Sequence, residues 1–390
     1  MILCFILENE LLRSSVFGTL AYLSADLRVN LYSKNASMIT SLQALRFIFA
    51  LFIFAEHFPI SQDAPHLLHG AGAMGVSFFI VLSGFVMSIG YEKRVQEPAF
   101  QWKDFMFKRL IRLWPLHLLC LVAWVILAYG AWGSSAIHPL PLLGNALLLQ
   151  WLPIEHIEGN SVAWCLSVLV VFYSVYPFIA RLKTRRLLLL FVGISVVLHG
   201  LAIAYKPMNT TAYWYISPAS RILDFLLGMI TFRLYRKALN QGGKQRWACL
   251  PVMLRWGIEL IPLGLYAVAL CYLRSDFTDL KSVVLFYVPS CLVIFLFALA
   301  SESEEKDGIP ELLSQKWLIY LGQVSFSFYM VHNLVILSVK KGLEYFAPAT
   351  PWELRLVISL VGAIVAGILV NRYFEAPVAN RLSKLLPAKK

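Results

Sequence analysis

The sequence predicts an all-α fold: a polytopic transmembrane helix bundle of about ten helices with both termini in the cytoplasm. Three observations predict it. Of the 390 residues, 59% are hydrophobic and only 14% are charged, against roughly a quarter charged in an average soluble domain. Apolar runs of about twenty residues recur along the chain, the length a helix needs to cross about 30 Å of hydrocarbon. Lys and Arg gather in alternate connections between these runs, as the positive-inside rule expects of cytoplasmic segments. In lipid the backbone must satisfy its own hydrogen bonds, so such runs are helices.

Taken in order, the predicted spans are 42–60, 73–91, 113–132, 162–180, 187–205, 213–232, 256–273, 282–300, 317–339 and 354–373. With the first span starting inside, 92–112 holds six basic residues while 61–72 and 133–161 hold none. Further on, 181–186 holds four, 206–212 one, 233–255 six and 274–281 two. The segment 301–316 carries Lys306 and Lys316 among five acids; acids count little in this rule, so it stays cytoplasmic. The stretch 139–152 is apolar but short and proline-punctuated, and reads as a re-entrant or interfacial piece on the outer side.

Two domains are expected: a leader at 1–37, and a membrane domain at 38–390 that holds all the chemistry. The leader lacks the basic start of a signal peptide, and Met38 stands just before the first span, so Met38 is expected to be the native start. The net charge of +12 follows from the loop asymmetry, and no nucleic-acid partner is implied. Cys4, Cys120, Cys165, Cys249, Cys271 and Cys291 are scattered without a CxxC pair, so neither a metal site nor a disulfide framework is expected.

Ionisable groups inside the spans are costly there and mark function or pairing. Arg46 and His57 lie eleven positions apart in the first span. Eleven steps of 100° overshoot three turns by only about 20°, so both project from one helix face about 16 Å apart. One reading makes Arg46 a cation orienting an anionic ligand and His57 a general base; another makes Arg46 a snorkelling anchor and His57 an interhelical hydrogen-bonding group. Arg221 and Asp224 are three apart and can neutralise each other. His332, His117 and His199 read individually as packing histidines. Arg109 and Arg112 share a face of the third helix, either as phosphate-binding guanidiniums or as positive-inside anchors.

Taken together and in order, the motifs resemble those of the acyltransferase 3 family over about Ser41 to Arg381. SLQALRFIFALFIFAEH is similar to the family's first-helix Arg and His, carried here by Arg46 and His57. GVSFFIVLSGFVMS resembles a glycine-bounded second-helix motif with Gly75, Phe78, Phe79, Ser83, Gly84 and Phe85. FKRLIRLWPLHLL resembles the basic, proline-ended motif at Arg109, Arg112 and Pro115, and RILDFLLGM a later one at Arg221, Asp224, Phe225 and Gly228. LGQVSFSFYMVHN supplies Gly322, Ser325, Tyr329 and His332, and YFEAP supplies Glu375 and Pro377. AWCLSVLVVFYSVYP resembles a motif at Trp164, Ser167, Phe172 and Tyr173, but carries Leu169 where members have a glutamate; likewise His117 stands in place of a tyrosine.

The resemblance implies a membrane O-acyltransferase that moves acetyl from cytosolic acetyl-CoA to a hydroxyl of a cell-surface or lipid-linked carbohydrate, in a bacterial cell membrane. In that expectation His57 and Arg46 are catalytic, either by direct transfer or through an acyl-histidine. Arg109 and Arg112 bind the donor; Arg221, Asp224, His332 and Glu375 are further candidates. No cofactor is held; acetyl-CoA, the glycan or glycolipid and membrane lipids are the partners. A transporter or flippase of lipid-linked saccharides, or a silent scaffold, is the alternative, and inverted repeats would favour the transporter.

Overall fold

The computed structural model describes residues 39–60, 66–152, 159–303 and 307–385. The leader and the Met38 start lie outside them. Among the described residues there is no β-strand, and the all-helical class stands. Ten helices carry the architecture: α1 (Thr40–His57), α2 (Ala71–Tyr91), α3 (Trp102–Trp132), α4 (Trp164–Ile179), α5 (Thr184–Tyr205), α6 (Pro218–Asn240), α7 (Val252–Ser275), α8 (Tyr287–Ser301), α9 (Lys316–Phe346) and α10 (Trp352–Val370).

Eight helical stretches are long and apolar enough to cross a membrane: α2, α3, α4 with the turn before it, α5, α7, Asp279–Ser301 containing α8, α9, and α10 with its continuation to Ser383. The count by length and composition is therefore eight, against about ten predicted. The difference lies in α1 and α6. Both form, but α1 carries Gln43, Arg46, Glu56 and His57, and α6 carries Arg221, Asp224, Arg233, Arg236 and Lys237. These two polar helices are inner ones, whereas α5 buries only 11% of its apolar window against 78% for α2.

Several boundaries move for local reasons. Helix α3 begins at Trp102, eleven residues before the predicted span, so Lys103, Lys108, Arg109 and Arg112 ride on its first turns instead of a loop. At 31 residues it is about 46 Å long, more than the hydrocarbon thickness. The predicted 213–232 span starts later, because Thr211–Ile216 is a π-helical turn; Ser217 then caps α6 by accepting from the Ala219 N–H at 3.2 Å, with Pro218 at the first helical position. The 139–152 stretch holds only the eight-residue helix Pro139–Ala146, too short to span.

Helix packing explains four of the motif glycines. Without a strong hydrophobic drive between helices in lipid, close backbone approach through small residues supplies the contact. A Cβ on Gly228 of α6 would stand 2.0 Å from the Val81 carbonyl of α2, and one on Gly84 of α2 would stand 2.2 Å from the Phe225 carbonyl of α6. On Gly75 it would meet the Phe49 carbonyl of α1 at 2.8 Å, and on Gly322 of α9 the Gln43 carbonyl of α1 at 1.9 Å. Aromatic side chains fill the remaining space: Phe49 stacks on Phe78 at 3.9 Å, and Phe47 meets Phe328 edge-on at 5.4 Å.

A buried arginine and a carboxylate fasten α2 to α6. Arg221 and Asp224, both fully buried, stand 3.5 Å apart, and Arg221 Nη2 donates to Ser77 Oγ of α2 at 3.1 Å. At the other end of α2, Glu92 accepts from Arg233 Nε at 2.6 Å and from Arg236 Nη1 at 2.5 Å, while Arg233 also donates to the Ala180 carbonyl.

Gly228→Ala forces these backbones apart and is expected to cost about 1–3 kcal/mol. Its thermal unfolding midpoint in detergent falls, whereas that of Gly193→Ala, where an added Cβ meets nothing within 4 Å, does not. Asp224→Ala strands a buried guanidinium and is expected to cost about 3–5 kcal/mol; Arg221→Met combined with Asp224→Leu recovers most of that loss in the same measurement.

Candidate active site

Helix α1 runs in the same direction as α9 and antiparallel to α2, with Gln43 beside Gly322 at one end and His57 beside His332 at the other. His57 is the last residue of α1. Its Nδ1 lies 2.8 Å from the Ile53 carbonyl and 3.4 Å from Nε2 of His332; the ring centroids are 5.1 Å apart. Nδ1 of His332 in turn lies 2.6 Å from the Tyr329 carbonyl. A carbonyl oxygen only accepts, so each Nδ1 carries a proton, and in the neutral rings each Nε2 carries a lone pair. The Nε2 of His332 thus accepts from His57 Nδ1–H. Among the described residues nothing hydrogen-bonds Nε2 of His57, which is left as a basic nitrogen whose orientation is fixed from the opposite side of the ring.

His332, which reads from sequence as one packing histidine among several, is thereby placed against His57 and is fully buried. Phe54 and Phe328 flank it, with ring centroids 6.3 and 6.0 Å away. The neighbouring residues of α9 hold the short turn Ser161–Ala163 that opens α4. Tyr329 Oη donates to the Val162 carbonyl at 2.7 Å, Asn333 Nδ2 to Ser161 Oγ at 2.9 Å, and Asn160 Nδ2 to the Met330 carbonyl at 2.6 Å. Tyr329 is a motif residue, but Asn160 sits in a loop with no pattern to single it out.

Toward the other end of α1, Arg46 is half-buried and donates no hydrogen bond to a described residue. The groups acting on it electrostatically are Glu375, Tyr173 and Arg112. Glu375 is positioned by a π-helical turn, Asn371–Glu375, that continues α10. Pro377 lacks the N–H that would have bonded back four residues, which accounts for the widened turn. Glu375 Oε2 accepts from Ser327 Oγ of α9 and from Asn371 Nδ2 at 3.0 Å. Arg46 thus lies toward the Glu375 and Ser327 end of the site, and His57 at the His332 end.

The two arginines of α3 separate. Arg109 donates from Nη2 to Tyr91 Oη at 2.8 Å and lies over the Tyr91 ring at 4.9 Å, so it is committed to α2. Arg112 is exposed and donates to no described residue. Tyr173, half-buried on α4, feels both Arg109 and Arg46 and lies between them electrostatically. Its sequence signal is its place in the α4 motif.

The remaining candidates lie elsewhere. Arg221 and Asp224 form the buried pair within α6 already described, with Arg221 bonded to Ser77 of α2. His117 Nε2 donates to the Asn145 carbonyl at 2.8 Å, and the exposed His199 donates to Ser195 within its own helix at 2.7 Å. Leu169 packs in the apolar core beside α4.

The family model described as an acyltransferase domain matches residues 39–372. Acyltransferase MdmB of Streptomyces mycarofaciens is 27% identical over 391 residues, covering 90% of this chain and 94% of that protein. O-acetyltransferase OatA of Staphylococcus aureus (strain NCTC 8325 / PS 47) is 23% identical over 82% of this chain, which spans about half, 55%, of OatA. The Regulator of hypoxia-inducible factor 1 of Caenorhabditis elegans is 28% identical over 187 residues, 39% of this chain. No solved structure matches. With the family model covering all ten long helices of this apolar bundle, the chain belongs to the acyltransferase 3 family and is a multi-pass membrane acyltransferase of groups other than amino-acyl groups.

Proposed function

We propose that the chain is an integral membrane O-acetyltransferase of a bacterial cell membrane, moving acetyl from cytosolic acetyl-CoA to a hydroxyl of a cell-surface or lipid-linked carbohydrate. The observation that carries this reading is Nε2 of His57, which bonds to no described residue while Ile53 and His332 hold the ring from behind. The acetyl group and the hydroxyl acceptor are supported by the resemblance of the motifs and by the printed name of OatA, an O-acetyltransferase.

The donor is anionic, and its phosphates suit the basic end of the bundle, where Arg46 and Arg112 have guanidiniums uncommitted to described residues. Arg109, bonded to Tyr91, acts as the positioning residue of this cluster. Positive-inside asymmetry puts this end at the cytosol. About 16 Å of α1 separate Arg46 from His57, a distance for the extended pantetheine arm to cover.

At His57, Nε2 takes the proton of the acceptor hydroxyl as its oxygen attacks the thioester carbonyl. The carbon–sulfur bond then breaks, and the departing thiolate recovers the proton from Nε2. While the ring is an imidazolium, the Ile53 carbonyl and His332 Nε2 both face its Nδ1–H and stabilise the charge. His332 is thus a positioning residue that acts through His57.

His57→Ala is expected to reduce transfer of radiolabelled acetyl to glycan in isolated membranes by at least about 10²-fold, the usual contribution of a general base, with protein level unchanged. Retained activity refutes the role. Arg112→Ala is expected to raise the acetyl-CoA KM while leaving kcat in place, as loss of ground-state binding does. An unaltered KM removes Arg112 from the donor site.

A further inference from the structure

Beyond the transfer reaction, we propose that Glu56, His66 and His69 form a binding site for one divalent transition-metal ion of the zinc class, tying the end of α1 to the segment that leads into α2. A donor atom from each of the three residues lies within 4.8 Å of the other two. Glu56 Oε1 stands 3.2 Å from His69 Nδ1 and 4.0 Å from His66 Nδ1. Two imidazole nitrogens and one carboxylate oxygen are the donor set that zinc takes where it keeps one position for water. Calcium and magnesium prefer oxygen cages, which this cluster does not offer.

The surroundings shape the cluster. Gly70, at φ +86°, turns the chain directly after His69, and a Cβ on Gly72 would stand 2.9 Å from Glu56 Cγ, so the carboxylate is tucked against the start of α2. The Gly72 N–H donates to Glu56 Oε2 at 3.2 Å, leaving Oε1 turned to the histidines. The two imidazoles stack with centroids 5.3 Å apart, and Phe277 backs His69 at 4.7 Å.

Bonds of 2.0–2.1 Å to a tetrahedral ion bring donors to about 3.4 Å from one another. The histidines therefore close by about an ångström, which half-exposed side chains accommodate. The hydrogen bond from His66 Nδ1 to the Glu56 carbonyl, 2.6 Å, gives way to the metal bond. The cysteines, where a zinc site is usually sought in sequence, take no part.

The test uses the full-length protein purified in detergent without a polyhistidine tag, stripped with chelator and titrated with Zn²⁺ alone by calorimetry. One ion per chain is expected, at micromolar affinity or tighter, accompanied by a rise in the thermal unfolding midpoint. His66→Ala with His69→Ala lowers the affinity at least a hundredfold. Glu56→Gln, which keeps an acceptor for the Gly72 N–H, lowers it at least tenfold. His199→Ala, an exposed histidine on α5, leaves it unchanged. Absence of stoichiometric binding by the wild type overturns the proposal, as does a double variant that binds like wild type or an equal loss in His199→Ala. Should the double variant elute as aggregate, Glu56→Gln and the tetrahedral visible absorption of Co²⁺ bound to the wild type decide. These readouts need no acyl transfer, so their failure is distinct from failure of the enzymatic reading.

Discussion

Contact of α1 with its two neighbours at van der Waals distance of the backbone is what the remainder of the bundle rests on. Gly322 lets α9 lie on the Gln43 peptide, and Gly75 lets α2 lie on the Phe49 peptide. A lipid environment gives helices little hydrophobic reason to associate, so dispersion at short range and interhelical hydrogen bonds must supply it. A methyl group at either glycine would widen the spacing by more than the slack in a 3.4 Å hydrogen bond. The imidazole pair therefore exists because two glycines, far along the helices from it, set how closely α1 is held.

Arginines in this bundle divide by whether they bond to a side chain of a neighbouring helix. Arg109, Arg221, Arg233 and Arg236 spend hydrogen bonds on Tyr91, Ser77 and Glu92, and serve to lock helices together. Arg46 and Arg112 donate to no described residue, and Arg46 feels Glu375, Tyr173 and Arg112 itself. The same distinction separates the histidines. His117 bonds a carbonyl across helices and His199 one in its own helix, while His57 meets the imidazole of His332 and its second nitrogen bonds to no described residue.

The helical class, the positions of most spans and the placing of Arg46 and His57 on one helix were legible in the chain, because hydropathy and charge are local properties. Partnership was not. Nothing in FSFYMVHN marks His332 as the neighbour of His57, since a contact across 275 positions leaves no local trace. Nor does FKRLIRLWP reveal that Arg109 is bound to Tyr91 while Arg112 is not; the two differ only in which way their helix is turned. Length and composition single out eight helices and pass over α1 and α6, because these two hold their charges inside the bundle, where polarity answers to neighbouring helices and not to lipid. Glu56 ends one span while His66 and His69 stand in the connection after it, and no spacing in the sequence marks the three as neighbours.

The pairing of α1 with α9 carries a consequence for biosynthesis. The first helix leaves the ribosome long before the ninth, and the pair His57 and His332 is split between them. An unfinished chain, inserted up to α8, owns a histidine with no second imidazole behind it and an arginine without Glu375. The imidazole pair and the neighbourhood of Arg46 and Glu375 therefore assemble only once α9 and α10 have followed the earlier helices into the bilayer.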